Sequence, residues 1–257
     1  MPLCTICHTP FDPPTTWRHT LTIAPQPKLC AKCVEQLSLI TPPICDICGR
    51  PLKELAPEYI YDTICYDCYR WEHDPTWSQT LTRNRSLYTY NDFMKEAMAL
   101  FKFRGDYAVI YAFQEKLQQF YKQHYNKQDL LIVPIPLSNE RLHERGFNQA
   151  EAIASLLPKL NLLESIAQLL PLKHFFFQQP FRIENILTRT HHEKQSKKSR
   201  TDRIHAKNVF STNTQKINKP ILLIDDIYTT GSTLRHAAKV LKEAGATSVS
   251  ALTLIRG

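Results

Sequence analysis

The sequence predicts an α/β protein: a parallel sheet flanked by helices, preceded by a small cysteine-rich module. Three observations carry that expectation. All eight cysteines lie before residue 70, and all fall in CxxC pairs. From about residue 80 onward, short apolar runs alternate with stretches of helical periodicity, the pattern of parallel strands joined by helices. The run Ile221 to Ile224 is apolar throughout, as a strand buried on both faces requires. The expected division places the cysteine module in residues 1–80 and the α/β domain in residues 81–257.

In the first part, the pairs are Cys4/Cys7, Cys30/Cys33, Cys45/Cys48 and Cys65/Cys68. A CxxC turn lets two thiolates bind one metal, and two such turns complete a tetrahedral Cys₄ zinc site. The simplest arrangement is sequential, with Cys4, Cys7, Cys30 and Cys33 in one site and Cys45, Cys48, Cys65 and Cys68 in the other. An interleaved pairing satisfies the same spacing. Closed Cys₄ sites leave no open coordination position, so both zincs are expected to be structural. Redox use of CxxC normally comes with a thioredoxin-like βαβ pattern, which this region lacks. The region is proline-rich and weakly periodic, so apolar burial alone would barely hold it together. A structural zinc contributes on the order of 10–16 kcal/mol in small finger peptides. His8 and His73 lie near the cysteines and read as neighbours of the sites rather than ligands.

Aromatic and basic residues interleave after the last pair: Tyr66, Tyr69, Arg70, Trp71, Trp77, Arg83 and Arg85. Rings beside cations suit unpaired nucleic acid, and they equally suit packing over the fingers. Ser86 to Tyr90 alternates like a strand. Asn91 is placed to cap a helix carrying Phe93, Ala97, Leu100 and Phe101 on one face, and Gly105 stops it. Lys102 and Arg104 give that helix a polar exit. A second helix is expected over about 107–125.

Leu130 to Ile135 reads as another buried strand, closed by Pro134 and Pro136. An arginine-bearing loop with Arg141 and Arg145 follows, then Gly146 and a helix from about Asn148. Guanidinium forks match phosphate oxygens in pairs, which suits pyrophosphate. A solvated Glu/Arg helix start is the alternative. Residues 161–182 give no reading. Residues 189–208 hold seven basic side chains against two acidic ones and few apolar positions, as a mobile loop or solvated extension would.

The most specific segment is Ile221 to Thr233, ILLIDDIYTTGST. Asp225 and Asp226 fall where the strand is expected to end. Tyr228, Thr229, Thr230, Gly231, Ser232 and Thr233 then supply hydroxyls and a glycine before a helix. Such a turn gathers backbone amides and the positive end of a helix dipole, which favours a phosphate. Carboxylates suit hydroxyl donors or magnesium instead, and a ribose phosphate offers both. An ordinary strand-to-helix turn with an aspartate cap is the plainer reading. The GxxxxGK[ST] pattern of P-loop proteins is missing. Gly245 ends the last helix, and Val249 to Ile255 alternates as a closing strand.

This segment resembles the signature of type I phosphoribosyltransferases, whose substrate is phosphoribosyl pyrophosphate (PRPP). The resemblance implies that Asp225 and Asp226 hold the ribose 2′- and 3′-hydroxyls while Thr229 to Thr233 wrap the 5′-phosphate. It implies magnesium with PRPP, and a catalytic set of Asp225, Asp226 and Arg145, with Arg141 and Arg145 on the pyrophosphate. By position, residues 189–208 are similar to the hood loop of those enzymes, which would bring lysines such as Lys197 to the leaving group. The cysteine module, VPIP…RGFNQA, KQSKKSRTDR and IDDIYTTGST…SALTLIRG together resemble the ComF/GntX family of late competence proteins. That family is tied to natural transformation: transport of incoming single-stranded DNA into the cytoplasm beside a helicase-like ATPase partner.

A formal charge of +8 favours polyanionic partners, nucleic acid or phosphorylated small molecules, and an acidic protein is also compatible. No apolar run approaches the roughly 18 residues of a membrane span, and the first residues lack the pattern of a secretory leader. The expectation is a cytoplasmic protein, held at the inner membrane, if at all, through partners. Two other functions compete with a PRPP-using competence protein: a non-catalytic binder of nucleic acid or ribose phosphate, and a nucleotide-salvage phosphoribosyltransferase. No residue reads as a general base, so the acceptor is open.

Overall fold

The computed structural model describes residues 1–13, 27–125, 129–158, 182–189, 209–214 and 216–257. In the N-terminal module, two knuckles fold alike. The amide of His8 returns to the Cys4 carbonyl and that of Gly49 to the Cys45 carbonyl, each at 2.9 Å. The residue after each pair takes a left-handed conformation, His8 at φ 57° and Gly49 at φ 72°. Isolated bridges Leu3–Pro10 and Ile44–Pro51 close both knuckles in the same way. Helix α1 (Ala31–Glu35) begins just after Cys30. Strands β1 (Ile60–Tyr61) and β2 (Ile64–Cys65) form a short antiparallel ribbon, and α2 (Tyr66–Glu72) starts just after Cys65.

The central sheet has five strands in the order β3 (Arg83–Thr89), β9 (Val249–Arg256), β8 (Ile221–Tyr228), β4 (Leu131–Pro134) and β5 (Arg182–Ile183). Every pairing in it is parallel, as the sequence predicts. Ile221, Leu222, Leu223 and Ile224 are fully buried in the middle of the sheet. Strand β8 does not end at the acid pair, as expected from sequence, but runs on to Tyr228 along β9. Its other neighbour stops earlier, because Pro134 closes β4 opposite Ile224. Asp225 and Asp226 therefore lie just past the end of β4, where one side of β8 opens.

Helix α3 (Asp92–Phe103) forms as expected. Asn91 caps it by accepting the Met94 amide at 2.9 Å, and Phe93, Ala97 and Phe101 are buried. The expected helix over 107–125 is two elements. Residues 107–113 wind as a 3₁₀ helix, with Ile110 and Phe113 buried at its three-residue repeat, before α4 (Gln114–Tyr125). Arg141 and Arg145 also depart from expectation. They ride on a two-turn helix, α5 (Asn139–Arg145), not on a loop. Ser138 caps α5, and Gly146, at φ 78°, ends it in the left-handed region that favours glycine. Helix α6 (Gln149–Ser155) starts one residue after Asn148, which caps it by accepting the Ala150 amide. Strands β6 (Leu187–Arg189) and β7 (Phe210–Thr212) pair antiparallel, so Arg189 and Phe210, at the two ends of the basic segment, are register partners. Helix α7 (Ser232–Glu243) follows the hydroxyl turn.

Two apolar cores cover the two faces of the sheet. One joins α3, α4 and α6 with Cys4, Cys30 and Cys33; the other joins α7 with Cys45, Cys48, Cys65 and Cys68. The cysteine module thus straddles edge strand β3. It also covers that edge: the Ile40 amide bonds the Leu87 carbonyl and the Thr89 amide bonds the Ser38 carbonyl. An edge strand left bare would invite pairing with another chain.

Candidate functional site

Two groups of four thiols meet the requirement for zinc. The sulfurs of Cys4, Cys7, Cys30 and Cys33 lie within 4.8 Å of one another, as do those of Cys45, Cys48, Cys65 and Cys68. Cys7 and Cys30 sulfurs are 3.7 Å apart, and Cys48 and Cys65 sulfurs 3.6 Å. A tetrahedron with Zn–S bonds of about 2.3 Å has sulfur–sulfur edges of about 3.8 Å. The grouping is the sequential one, and every cysteine belongs to it. The second group is wholly buried, whereas Cys7 of the first is exposed.

The acid pair and the hydroxyl turn lie at the carboxyl end of strand β8, the end at which open α/β sheets bind ligands. Asp225 is half-buried and Asp226 buried. The Asp226 amide donates to the Asp225 carboxylate at 2.9 Å. Burial first, and then the charge of Asp226, pushes the Asp225 carboxyl up to about 7. Lys102, at the end of α3, pairs with Asp226 at 2.6 Å. Arg145 feels the charges of Asp226, Arg141 and Asp225, and Arg189 those of Arg141, Asp225 and Arg145, so the three guanidinium groups share one locality with the acids. Burial lowers the affinity of Arg145 and of Arg189 for their protons, the first cause in each case. Arg145 is steered by a 2.7 Å bond to Gln149. Lys102 and three arginines thus gather around Asp225, Asp226 and Glu144, and the excess of positive charge suits a polyanion.

The hydroxyl turn follows the acids directly in the chain. Gly231, at φ 81°, takes the position before α7 and offers no side chain to cap it, and the first turn of α7 holds no acid. The Ser232 amide reaches the Thr230 hydroxyl at 3.4 Å. Thr229 is exposed, Thr230 and Thr233 are half-buried, and Ser232 is buried. A helix start of this kind directs amides and the positive dipole end toward an anion.

Of the residues singled out in the sequence, Asp225, Asp226, Arg141 and Arg145 share one locality, and the turn Thr229 to Thr233 follows the acids along the chain between β8 and α7. Tyr228 does not join them. Its ring is buried in the core of the second cysteine group, under the Arg256 guanidinium at 4.7 Å. Lys197 lies outside the described residues. Lys102 and Arg189 are site members that the sequence reading did not assign. Lys102 carried a signal, since it stands in the polar exit of α3; Arg189 was hidden at the start of a long basic run.

The aromatic–basic run after the cysteines divides in two. Trp71 and Trp77 are buried and meet edge to face. Arg83 and Arg85 bond the carbonyls of His124 and Asp46. Tyr61, Tyr66, Tyr69 and His73 form a stacked row on the outside, with ring separations down to 3.9 Å. Asp62, Asp67 and Glu72 lie in the same stretch of chain, which makes the row a poor match for phosphates.

Residues 1–69 match the double zinc ribbon domain family, and residues 142–257 match the phosphoribosyl transferase domain family. The chain is 40% identical over 256 residues to competence protein ComFC of Bacillus subtilis, covering 99% of this chain and 95% of that one. It is 31% identical over 229 residues to competence protein ComFC of Streptococcus pneumoniae, covering 89% and 87%. A hypoxanthine phosphoribosyltransferase structure from Staphylococcus aureus aligns at TM-score 0.33 and 17% identity, over 57% of this chain and 62% of that one, too loosely to add weight. No helix among the described residues is long and apolar enough to cross a membrane. With a double zinc ribbon, a phosphoribosyltransferase-type sheet and near full-length identity to these relatives, the chain belongs to the ComF family of competence proteins.

Proposed function

We propose that the chain serves natural transformation as a protein that binds magnesium–PRPP, or a closely related ribose phosphate, and also holds single-stranded DNA. The observation that carries the ligand reading is the gathering of three arginines with Asp225 and Asp226, directly ahead of the Thr229–Thr233 turn that opens α7. Asp225 and Asp226 would orient the ribose hydroxyls, and magnesium bound with the ligand would offset its phosphate charge. The turn and the start of α7 take the 5′-phosphate. Arg141, Arg145 and Arg189 face the pyrophosphate, and Lys197 joins from the hood segment. In a transfer, an acceptor nucleophile would bond to the anomeric carbon as its bond to pyrophosphate breaks, and these cations would take up the charge of the leaving group. Lys102 occupies Asp226 in the ligand-free protein and must share it or move aside when the sugar enters.

The charge of +8 and the basic 189–208 segment support DNA binding, on the cytoplasmic side and beside a helicase-like ATPase. The division proposed is a zinc module in 1–80 and a phosphoribosyltransferase-like domain in 81–257. Calorimetry with magnesium–PRPP tests the ligand reading. The wild type should release heat, and Asp225→Ala with Asp226→Ala should lose at least about tenfold in affinity, since each charge-assisted bond contributes roughly 1.5–3 kcal/mol. An absence of heat from the wild type would end this reading. Pyrophosphate release in the same samples separates turnover from binding alone. Affinity for a single-stranded oligonucleotide should fall steeply as salt rises, through counterion release. Affinity indifferent to salt would remove the DNA argument.

A further inference from the structure

Behind the phosphate-type turn, away from the acids, stands the second four-cysteine group. Trp71 lies on α2, which begins directly after Cys65 and contains Cys68. Its indole nitrogen donates to the Thr230 carbonyl, inside the turn, at 3.1 Å. Arg256, at the end of β9, is 4% exposed. It donates to the Cys48 sulfur at 3.6 Å and to the Tyr228 carbonyl at 3.3 Å, and it covers the Tyr228 ring. The Tyr228 hydroxyl in turn lies against Gly231 so closely that a Cβ there would collide with it. A second strut joins α7 to the module. Arg235, fully buried, bonds Glu72 at 2.9 Å and lies over the Trp71 ring at 4.9 Å.

We propose that the zinc site of Cys45, Cys48, Cys65 and Cys68 holds the 229–233 turn in its ligand-binding shape through Trp71 and Arg256, so that ribose-phosphate binding and zinc retention at this site are coupled. The proposal rests on reading that turn as the seat of the 5′-phosphate. Zinc with four thiolates carries a net charge of about −2. A buried guanidinium needs such a counter-charge. The metal also fixes where α2 begins, and hence where Trp71 points. Coupling of this kind is reciprocal: what zinc does for the ligand, the ligand does for zinc. The first cysteine group packs on the opposite face of the sheet and shares none of these bonds among the described residues, so it serves as an internal control.

The test follows zinc release from the full chain into a colorimetric chelator, with and without saturating magnesium–PRPP. One of two release phases should slow about tenfold with PRPP while the other is unchanged. Trp71→Phe keeps the ring and removes the bond to Thr230. It should retain two zincs, bind PRPP about fivefold more weakly, as loss of one hydrogen bond implies, and show less slowing. If PRPP binds by calorimetry but slows neither phase, or both equally, the coupling is wrong and the ribose-phosphate reading stands. Unchanged PRPP affinity in Trp71→Phe likewise overturns the coupling. If PRPP gives no heat with the wild type, the ribose-phosphate reading fails and the coupling with it.

Discussion

Asp225 and Asp226 are neighbours on one strand, yet their surroundings differ. Asp226 has the Lys102 ammonium at 2.6 Å, while Asp225 meets burial and a like charge. A carboxyl held up to about 7, against an ordinary 3.8, takes up a proton on folding. Its contribution to stability is therefore complete below the ordinary carboxylate range and is lost as pH rises through about 7. The melting temperature of the ligand-free protein should fall from about pH 5 to about pH 8, and Asp225→Asn should flatten that part of the curve. Lys102 lowers the Asp225 value, so Lys102→Ala should move the transition to higher pH in the same melts. On the proposed ribose-phosphate reading, affinity for magnesium–PRPP should strengthen as Asp225 ionises across the same window. A melting curve identical in wild type and Asp225→Asn would contradict this account.

At the scale of elements, the unit that matters is β8, its turn and α7. Pro134 ends β4 opposite Ile224, which opens one side of β8 at the acids. Gly231 then lets the chain enter α7 at φ 81°, with the Tyr228 ring filling the space a side chain would need. Gly231→Ala faces both a left-handed backbone and that ring. The backbone term alone is about 1–2 kcal/mol, so denaturant unfolding should show at least that loss. Because the turn would distort, PRPP affinity should fall too. The acid pair, the hydroxyl turn and the flanking apolar run are contiguous in sequence, and so this element could be read before the structure. The strand's extension to Tyr228 could not, because it depends on pairing with β9. Nor could the conversion of the Arg141–Arg145 loop into α5, which rests on the Ser138 cap and the Gly146 stop acting together.

At the scale of the whole molecule, the zinc module is part of the scaffold rather than an appendage. Its two centres sit on opposite faces of the sheet and its backbone covers the β3 edge. Metal analysis should give two zincs per chain. Stripping both with a strong chelator should cost more than a small local loss, since a structural zinc contributes on the order of 10–16 kcal/mol in finger peptides. Circular dichroism should then show loss of structure in the α/β domain as well as in residues 1–80. An α/β domain that melts unchanged after zinc removal would argue against this shared architecture.

Zinc chemistry, the strand–helix alternation and the acid–hydroxyl segment were all legible in the residues alone. Each depends on spacing within a few residues, and spacing is local. The tertiary structure alone decided that Lys102 and Arg189 reach the acids, that Tyr228 turns inward, and that Trp71 holds Thr230 across a sequence separation of 159. Those contacts join residues far apart in the chain, and only the folding of the sheet between two cores brings them within reach of one another.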